Sequence, residues 1–242
     1  MDNTTTIALS RLTAQARALD VTANNIANAS TPGYRAQRVL FSDWLLPEPA
    51  DREGSVAYTQ DRATYQVRDP GAYTHTGNPL DLAVGNPDAW FQVQTPGGTK
   101  LTRGGHFTLD ARGTIVDTQG DALLDRNNRP MVVAATDAVL TVAGDGTLSS
   151  ESGQIGNIGL VSPDNPALLR AEGGQLYAGG STTPVAAPRL TQGAIEESNV
   201  QPIVEMNRMT DDLREFQFVS QFVQAEADRQ QNAIDKIMQK QS

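Results

Sequence analysis

The sequence predicts an α+β protein in which long N- and C-terminal helices pair as a coiled-coil-like layer and enclose a central, mainly antiparallel β domain. Three observations predict it. Apolar residues step by three and four at both ends of the 242-residue chain. Between the ends the apolar period falls to two. Glycine (21) and proline (13) are frequent enough to suit a loop-rich β segment better than an all-helical chain.

The N-terminal helix is expected over residues 4–28. Leu9, Leu12, Ala16, Leu19, Ala23 and Ile26 keep the step without a break, the stripe of a helix that packs along a narrow seam. "ANNIANASTPGYR" (23–35) ends it. Asparagine is a poor helix former, costing up to ~0.7 kcal/mol relative to Ala, yet Asn24, Asn25 and Asn28 all fall here. Asn24 and Asn28 lie on one helical face. They can act as amides that fix the register of a seam or as plain helix-end caps; both readings stand. Pro32 pushes Thr31 out of the α region, and Pro32-Gly33 fits the centre of a type II turn.

Residues 31–69, with Pro32, Pro47 and Pro49, read as an extended connector. The β domain is placed at 70–190. Leu80, Leu82 and Val84 alternate, as do Phe91 with Val93 and Phe107 with Leu109. Turn signals separate them at Gly85-Asn86-Pro87-Asp88, Pro96-Gly97-Gly98, Asp110-Ala111-Arg112-Gly113, Asn127-Asn128 and Asp145-Gly146, the pattern of antiparallel hairpins. Residues 191–242 hold a return linker and the last helix, from about 203 to 240. Met206, Met209, Leu213, Phe216, Ser220, Val223, Ala227, Gln230, Ile234 and Ile237 repeat the N-terminal step. A helix of that length, ~55 Å, overhangs a domain of this size, so the two stripes need each other or other subunits.

Composition excludes several classes. A net charge of −9 without a basic cluster argues against nucleic acid. The absence of cysteine removes disulfides and thiolate metal sites. No run of ~18 apolar residues suggests membrane insertion, and no signal peptide is visible in the first thirty residues. No cofactor, metal or catalytic site is expected. His75 and His106 read as exposed or structural, "VAGDGTLSS" and "TPGGTK" as hairpin turns, and no G-x-S-x-G is present.

"ANNIANASTPGYR" resembles the N-terminal signature of the bacterial flagellar axial proteins, the rod and hook family. "HTGNPLDLAV", "WFQVQTPGGTKLTRGGHFTLDARGTIVDTQG" and "GNIGLVSPDNPALLRAEGGQLY" resemble its central β domain, and "GAIEESNVQPIVEMNRM" its C-terminal signature, where Ser198-Asn199-Val200 precedes the last helix. One departure is "AVGNPDAWFQV", where relatives usually carry a Gly-Asp-Gly-Phe/Tyr-Phe turn. The resemblance implies a structural subunit of the basal-body rod, proximal first, with the distal rod or another axial position as the alternative; a secreted adhesin or a hydrolase fits less well. It further implies polymerisation through the terminal helices to transmit torque for motility. Its partners would be homologous rod subunits, copies of itself and the flagellar type III export apparatus, and its place the periplasmic rod, reached without a cleaved signal. The expected interface residues are Leu9, Leu12, Leu19, Asn24, Asn25, Ile26, Asn28, Asn199, Met206, Met209, Leu213, Phe216, Val223, Ile234 and Ile237.

Overall fold

A computed structural model describes residues 3–47, 55–137, 139–173 and 175–239. The chain is α+β: helix α1 spans Asn3–Ala27, helix α2 spans Pro202–Gln239, and the sheets between them are antiparallel. It divides into two compact units. One combines residues 1–27, 37–66 and 201–242; the other combines 28–36 and 67–200.

In the first unit α1 and α2 run antiparallel. Asn25 meets Glu205, Gln15 meets Glu215, and Ala8 lies beside Val219. The expected connector is a long hairpin, β1 (Gln37–Pro47) paired with β2 (Ser55–Gln66), in register from Gln37 opposite Gln66 to Pro47 opposite Ser55. Both segments are rich in β-branched and aromatic residues, which favour the pleated state. The register shifts between Leu40 and Phe41, a bulge in the ladder. Residues 48–54, Pro49 among them, lie outside the described residues.

In the second unit, β3 (Tyr73–His75) pairs with Ala194–Glu196, and β4 (Leu82–Val84) with Leu190–Gln192, so one returning segment edges two short strands in succession. β5 (Trp90–Thr95) and β6 (Gly98–Thr102) form a tight hairpin, closed where Thr95 faces Gly98. Ala122–Leu123 and Leu160–Pro163 add to β5, and Leu176–Ala178 adds to β6. Phe91, Val93, Phe107, Ile115, Leu123, Leu148 and Ile158 fill the core, with Phe91 and Phe107 edge to face at 5.2 Å. Leu109 departs from the alternation and stays exposed. Trp90, Leu101, Val161 and Tyr177 form a smaller cluster, so β5 buries residues on both faces.

The turn at Thr31–Tyr34 closes as expected: the Tyr34 N–H donates to the Thr31 carbonyl at 3.1 Å, and Gly33 has φ +71°. A Cβ on Gly33 would stand 2.4 Å from the Arg103 backbone. Only glycine satisfies both the positive φ and that approach.

Candidate assembly interface

The terminal helices meet on a face that hydropathy does not mark. On α1 the covered residues are Ala8, Ala14, Gln15, Val21, Thr22 and Asn25; on α2 they are Glu205 and Val219, with Met209, Asp212 and Phe216 half-buried between them and Val223 half-buried just beyond. Small and polar residues let the helices approach and hydrogen-bond across the seam. Gln15 Nε2 donates to Glu215 Oε2 at 3.1 Å, and Thr22 Oγ1 to Asp212 Oδ2 at 3.4 Å.

Asn25 anchors one end of this seam and is 0% exposed. Its Nδ2 donates to the Gln37 carbonyl (2.9 Å) and to Glu205 Oε2 (3.1 Å), while its Oδ1 accepts the Gln37 N–H (2.8 Å). One amide thus holds the first residue of β1 and the first turns of α2 to the end of α1. Glu205, 1% exposed, receives the Arg38 guanidinium bidentately at 2.8 and 2.9 Å, and Arg208 at 3.1 Å. A forked pair of this kind fixes direction as well as charge. Asn25→Ala would leave the Gln37 backbone groups without their side-chain partner inside the unit, at about 1–3 kcal/mol. Asn25→Ala should therefore lower the thermal midpoint clearly while Asn24→Ala, on an exposed position, should not; equal midpoints by circular dichroism would remove Asn25 from this role.

The outer stripe read from the sequence lies about one residue around α1 from the packed face. Leu9 is 61% exposed; Leu12, Leu19 and Ile26 are half-buried. On α2, Met206 is 59% exposed and Leu213 is also exposed, whereas Met209, Phe216 and Val223 turn toward the α1 seam. Asn24 is exposed, and Asn28 accepts from the Thr31 hydroxyl at 3.2 Å at the helix stop. The side chains of Ile234 and Ile237 lie outside the described residues. The sequence reading also passed over exposed Ile203, Phe218 and Phe222; a strict heptad count skips them.

Asn199 belongs to the second unit. Its Oδ1 accepts the Ala36 N–H at 2.7 Å, and its Nδ2 donates to the carbonyls of Val67 (3.2 Å) and Asp69 (2.7 Å). Beside it Tyr34, Ala36 and Val200 form a small core. The amide thus ties the segment after the Thr31–Tyr34 turn to the segment that follows β2.

A buried ionic cluster in the same unit escaped the sequence reading. Glu196 takes a short contact from Arg103 and lies 3.6 Å from Arg35, all three being almost fully buried. Gly71 N–H donates to Glu196 Oε1 at 3.3 Å. Arg103 also donates to the carbonyls of Val84 (3.2 Å), Asn86 (2.8 Å) and Ala89; Arg35 donates to Pro87 O at 2.9 Å and stacks over Trp90 at 5.6 Å. Two arginines therefore hold the unusual Gly85–Asp88 turn at its Asn86 and Pro87 carbonyls and at the flanking Val84 and Ala89 carbonyls. Burial, and then the Arg103 charge, push the Arg35 guanidinium below its ordinary pKa, while Glu196 pulls it back up. Isolated charged letters in "GYRAQ", "TRGGHF" and "AIEESN" carry no pattern that separates them from surface residues.

His106 Nδ1 lies 2.7 Å from the buried Asp81, whose Oδ1 also accepts from Asn78 at 3.0 Å. These groups link the start of β4 to the segment at His106, where Asp81 and His106 also pair through their backbones. Among the described residues no three or more His, Asp or Glu side chains gather around a possible metal ion, and no helix is long and apolar enough to cross a membrane.

Comparison with known proteins finds similarity at both ends of the chain and at its centre. Residues 6–35 match the flagella basal body rod protein family, 86–150 the flagellar hook protein FlgE/F/G D1 domain, and 191–236 the flagellar basal body rod FlgEFG protein C-terminal family. A flagellar basal-body rod protein FlgF of Caulobacter vibrioides is 31% identical over 242 residues, covering 98% of each chain. One of Rhizobium meliloti is 32% identical over 240 residues, 96% of each. The flagellar basal-body rod protein FlgG of Bacillus subtilis is 29% identical over 232 residues, 85% of this chain and 88% of its own. With both ends and the centre matched and the similarity running nearly end to end, the chain belongs to the flagellar basal-body rod protein family, as a structural subunit of the rod and not an enzyme.

Proposed function

We propose that the chain is a subunit of the proximal rod that polymerises through its terminal helices, with copies of itself and with homologous axial proteins, and passes torque along the rod. In this reading α1 and α2 form a coiled-coil-like layer, and the flagellar type III apparatus exports the subunit to the periplasm without cleaving it. The observation that carries the assembly reading is the set of large apolar side chains standing on the outside of both helices, Leu9, Ile203, Met206, Leu213, Phe218 and Phe222. This number of large apolar side chains left exposed on two helices supports an interaction site. Identical subunits that meet head to tail without closing a ring build a helix, the geometry a shaft requires. Export and proximal position draw their support from the family and from the FlgF relatives. Similarity to a FlgG protein keeps another axial position as the second reading.

A deletion strain complemented with an epitope-tagged copy tests the placement. The tag is expected in purified basal bodies, in the rod section nearest the membrane rings. Restored swimming with no tag in the basal bodies would sink the reading; a tag confined to the distal section would select the second.

A further inference from the structure

One edge of β5 is shared by two different segments. Leu160 and Val161 pair with Phe91 and Trp90, while Ala122 and Leu123 pair with Gln94 and Val93. Gln92 falls between the two pairings, where its carbonyl accepts the Leu124 N–H at 2.9 Å. At this fork lies a cavity of about 370 Å³, whose lining includes Gln92, Arg126, Asn128, Leu160, Pro184 and Val185. The Gln92 side chain is 9% exposed, yet its amide meets no hydrogen-bond partner among the described residues and lines the cavity instead. Two residues on, the Gln94 amide donates to the Thr95 carbonyl at 3.1 Å. A buried amide left without a partner by the fold calls for an explanation. A ligand that supplies the partner gives one.

Arg126 and Asn128 are exposed and lie in a turn that is fixed from within. Asp125 Oδ1 accepts the N–H groups of Asn127 and Arg129 at 2.7 and 2.8 Å, and Asn128 holds φ +58°. The Arg126 charge reaches Asp145 through space, and no ion pair holds its guanidinium among the described residues. Leu160, Pro184 and Val185 add apolar wall. The site thus offers one cation, two neutral amides and an aliphatic surface. A single cation suits a monovalent carboxylate better than a phosphate dianion. An amide that both donates and accepts suits a peptide unit. At ~30 Å³ for each water-sized group, the cavity holds about a dozen non-hydrogen atoms. The geometry points to a binding site for an N-acylated amino acid, its carboxylate on Arg126, its amide on Gln92 and its aliphatic side chain against Leu160 and Val185. The site lies within the second unit and does not depend on how copies assemble.

Titration of the isotope-labelled full chain with N-acetylalanine, followed by nuclear magnetic resonance, tests it. The side-chain amide signals of Gln92 and Asn128 should shift together and saturate with a Kd on the order of 1 mM, as befits so small a ligand. N-acetylalanine amide, uncharged and nearly the same shape, should bind about fivefold more weakly, and Arg126→Gln should lose the same factor toward N-acetylalanine. Gln92→Leu should weaken binding about tenfold. Its thermal midpoint should stay level or rise, because the fold itself leaves that amide unpartnered. A second arm uses the acetylated peptide Gly-Gly-Gly-Gly-Ala. Binding at least as tight as that of N-acetylalanine assigns the site to the end of a peptide, and weaker binding assigns it to a free acylated amino acid. Signals that do not saturate below ~20 mM, or an affinity unchanged by Gln92→Leu or by neutralising the carboxylate, overturn the site.

Discussion

Glu196→Gln is expected to destabilise the β-rich unit by about 3–5 kcal/mol, the cost of removing one partner from a buried ion cluster. The substitution keeps the side-chain shape and removes the charge that balances two buried guanidinium groups, Arg35 and Arg103. The cluster has little slack: Arg35 Nε and Arg103 Nε already find no acceptor among the described residues. Against a typical domain stability of about 5–15 kcal/mol, such a loss brings the unit close to unfolding at working temperature. Urea titration followed by Trp90 fluorescence, in a Trp44→Phe background, measures it. Exposed Glu151→Gln should move the midpoint by about 0.5 kcal/mol or less. The Glu196 deficit should persist at high salt, because buried pairs are screened weakly. A shift no larger than that of Glu151→Gln would mean that Arg103 is held by the carbonyls of Val84, Asn86 and Ala89 alone.

Leu12→Asp combined with Leu19→Asp should abolish swimming while the purified protein keeps its helicity and its β core. Both residues are only half-buried in the isolated chain and take no part in the Asn25 and Glu205 clamps, which it therefore retains. In a dry contact between copies each added carboxylate costs several kcal/mol, and the penalty recurs at every copy. Swim-plate diameter and circular dichroism together decide the matter. A double variant that swims like the wild type removes the outer stripe from the interface; one that has lost its helicity shows instead that these leucines hold the subunit itself.

The helix ends and the turn chemistry were legible in the sequence because they depend on local residues. Pro32-Gly33 specifies a turn whatever surrounds it, and the stepping of Leu9, Leu12 and Leu19 specifies a helix whatever covers it. The covered face was not legible, because Gln15, Thr22 and Asn25 look solvent-exposed until Glu215, Asp212 and Glu205 arrive from far along the chain. Hydropathy finds the greasiest stripe, and here only part of that stripe is covered: Met209, Phe216 and Val223 are half-buried while Leu9, Met206 and Leu213 stay exposed. The hairpin at 37–66 was hidden for a related reason: prolines 47 and 49 suggest a linker, while strand pairing is a property of two segments read together. The Glu196 cluster had no signal at all, since a buried charge and a surface charge are the same letter. Among the candidate interface residues, Asn25 and Asn199 proved to hold their own units together, a role that single amides can fill by gripping backbone groups on another segment.

The Asn25–Glu205 contact also has a consequence in time. Its two residues are separated by 180 positions, and at a synthesis rate of about 5–20 residues per second the second follows the first by about 10–40 s. For that interval α1 has been made but the helix it packs against has not, and a lone helix of 25 residues is only marginally stable in water. The β-rich unit is complete once Val200 has emerged, whereas the helical unit must wait for the last turns of the chain. The N-terminus is therefore the oldest part of the molecule and among the last to become rigid, a delay set by chain length rather than by any added factor.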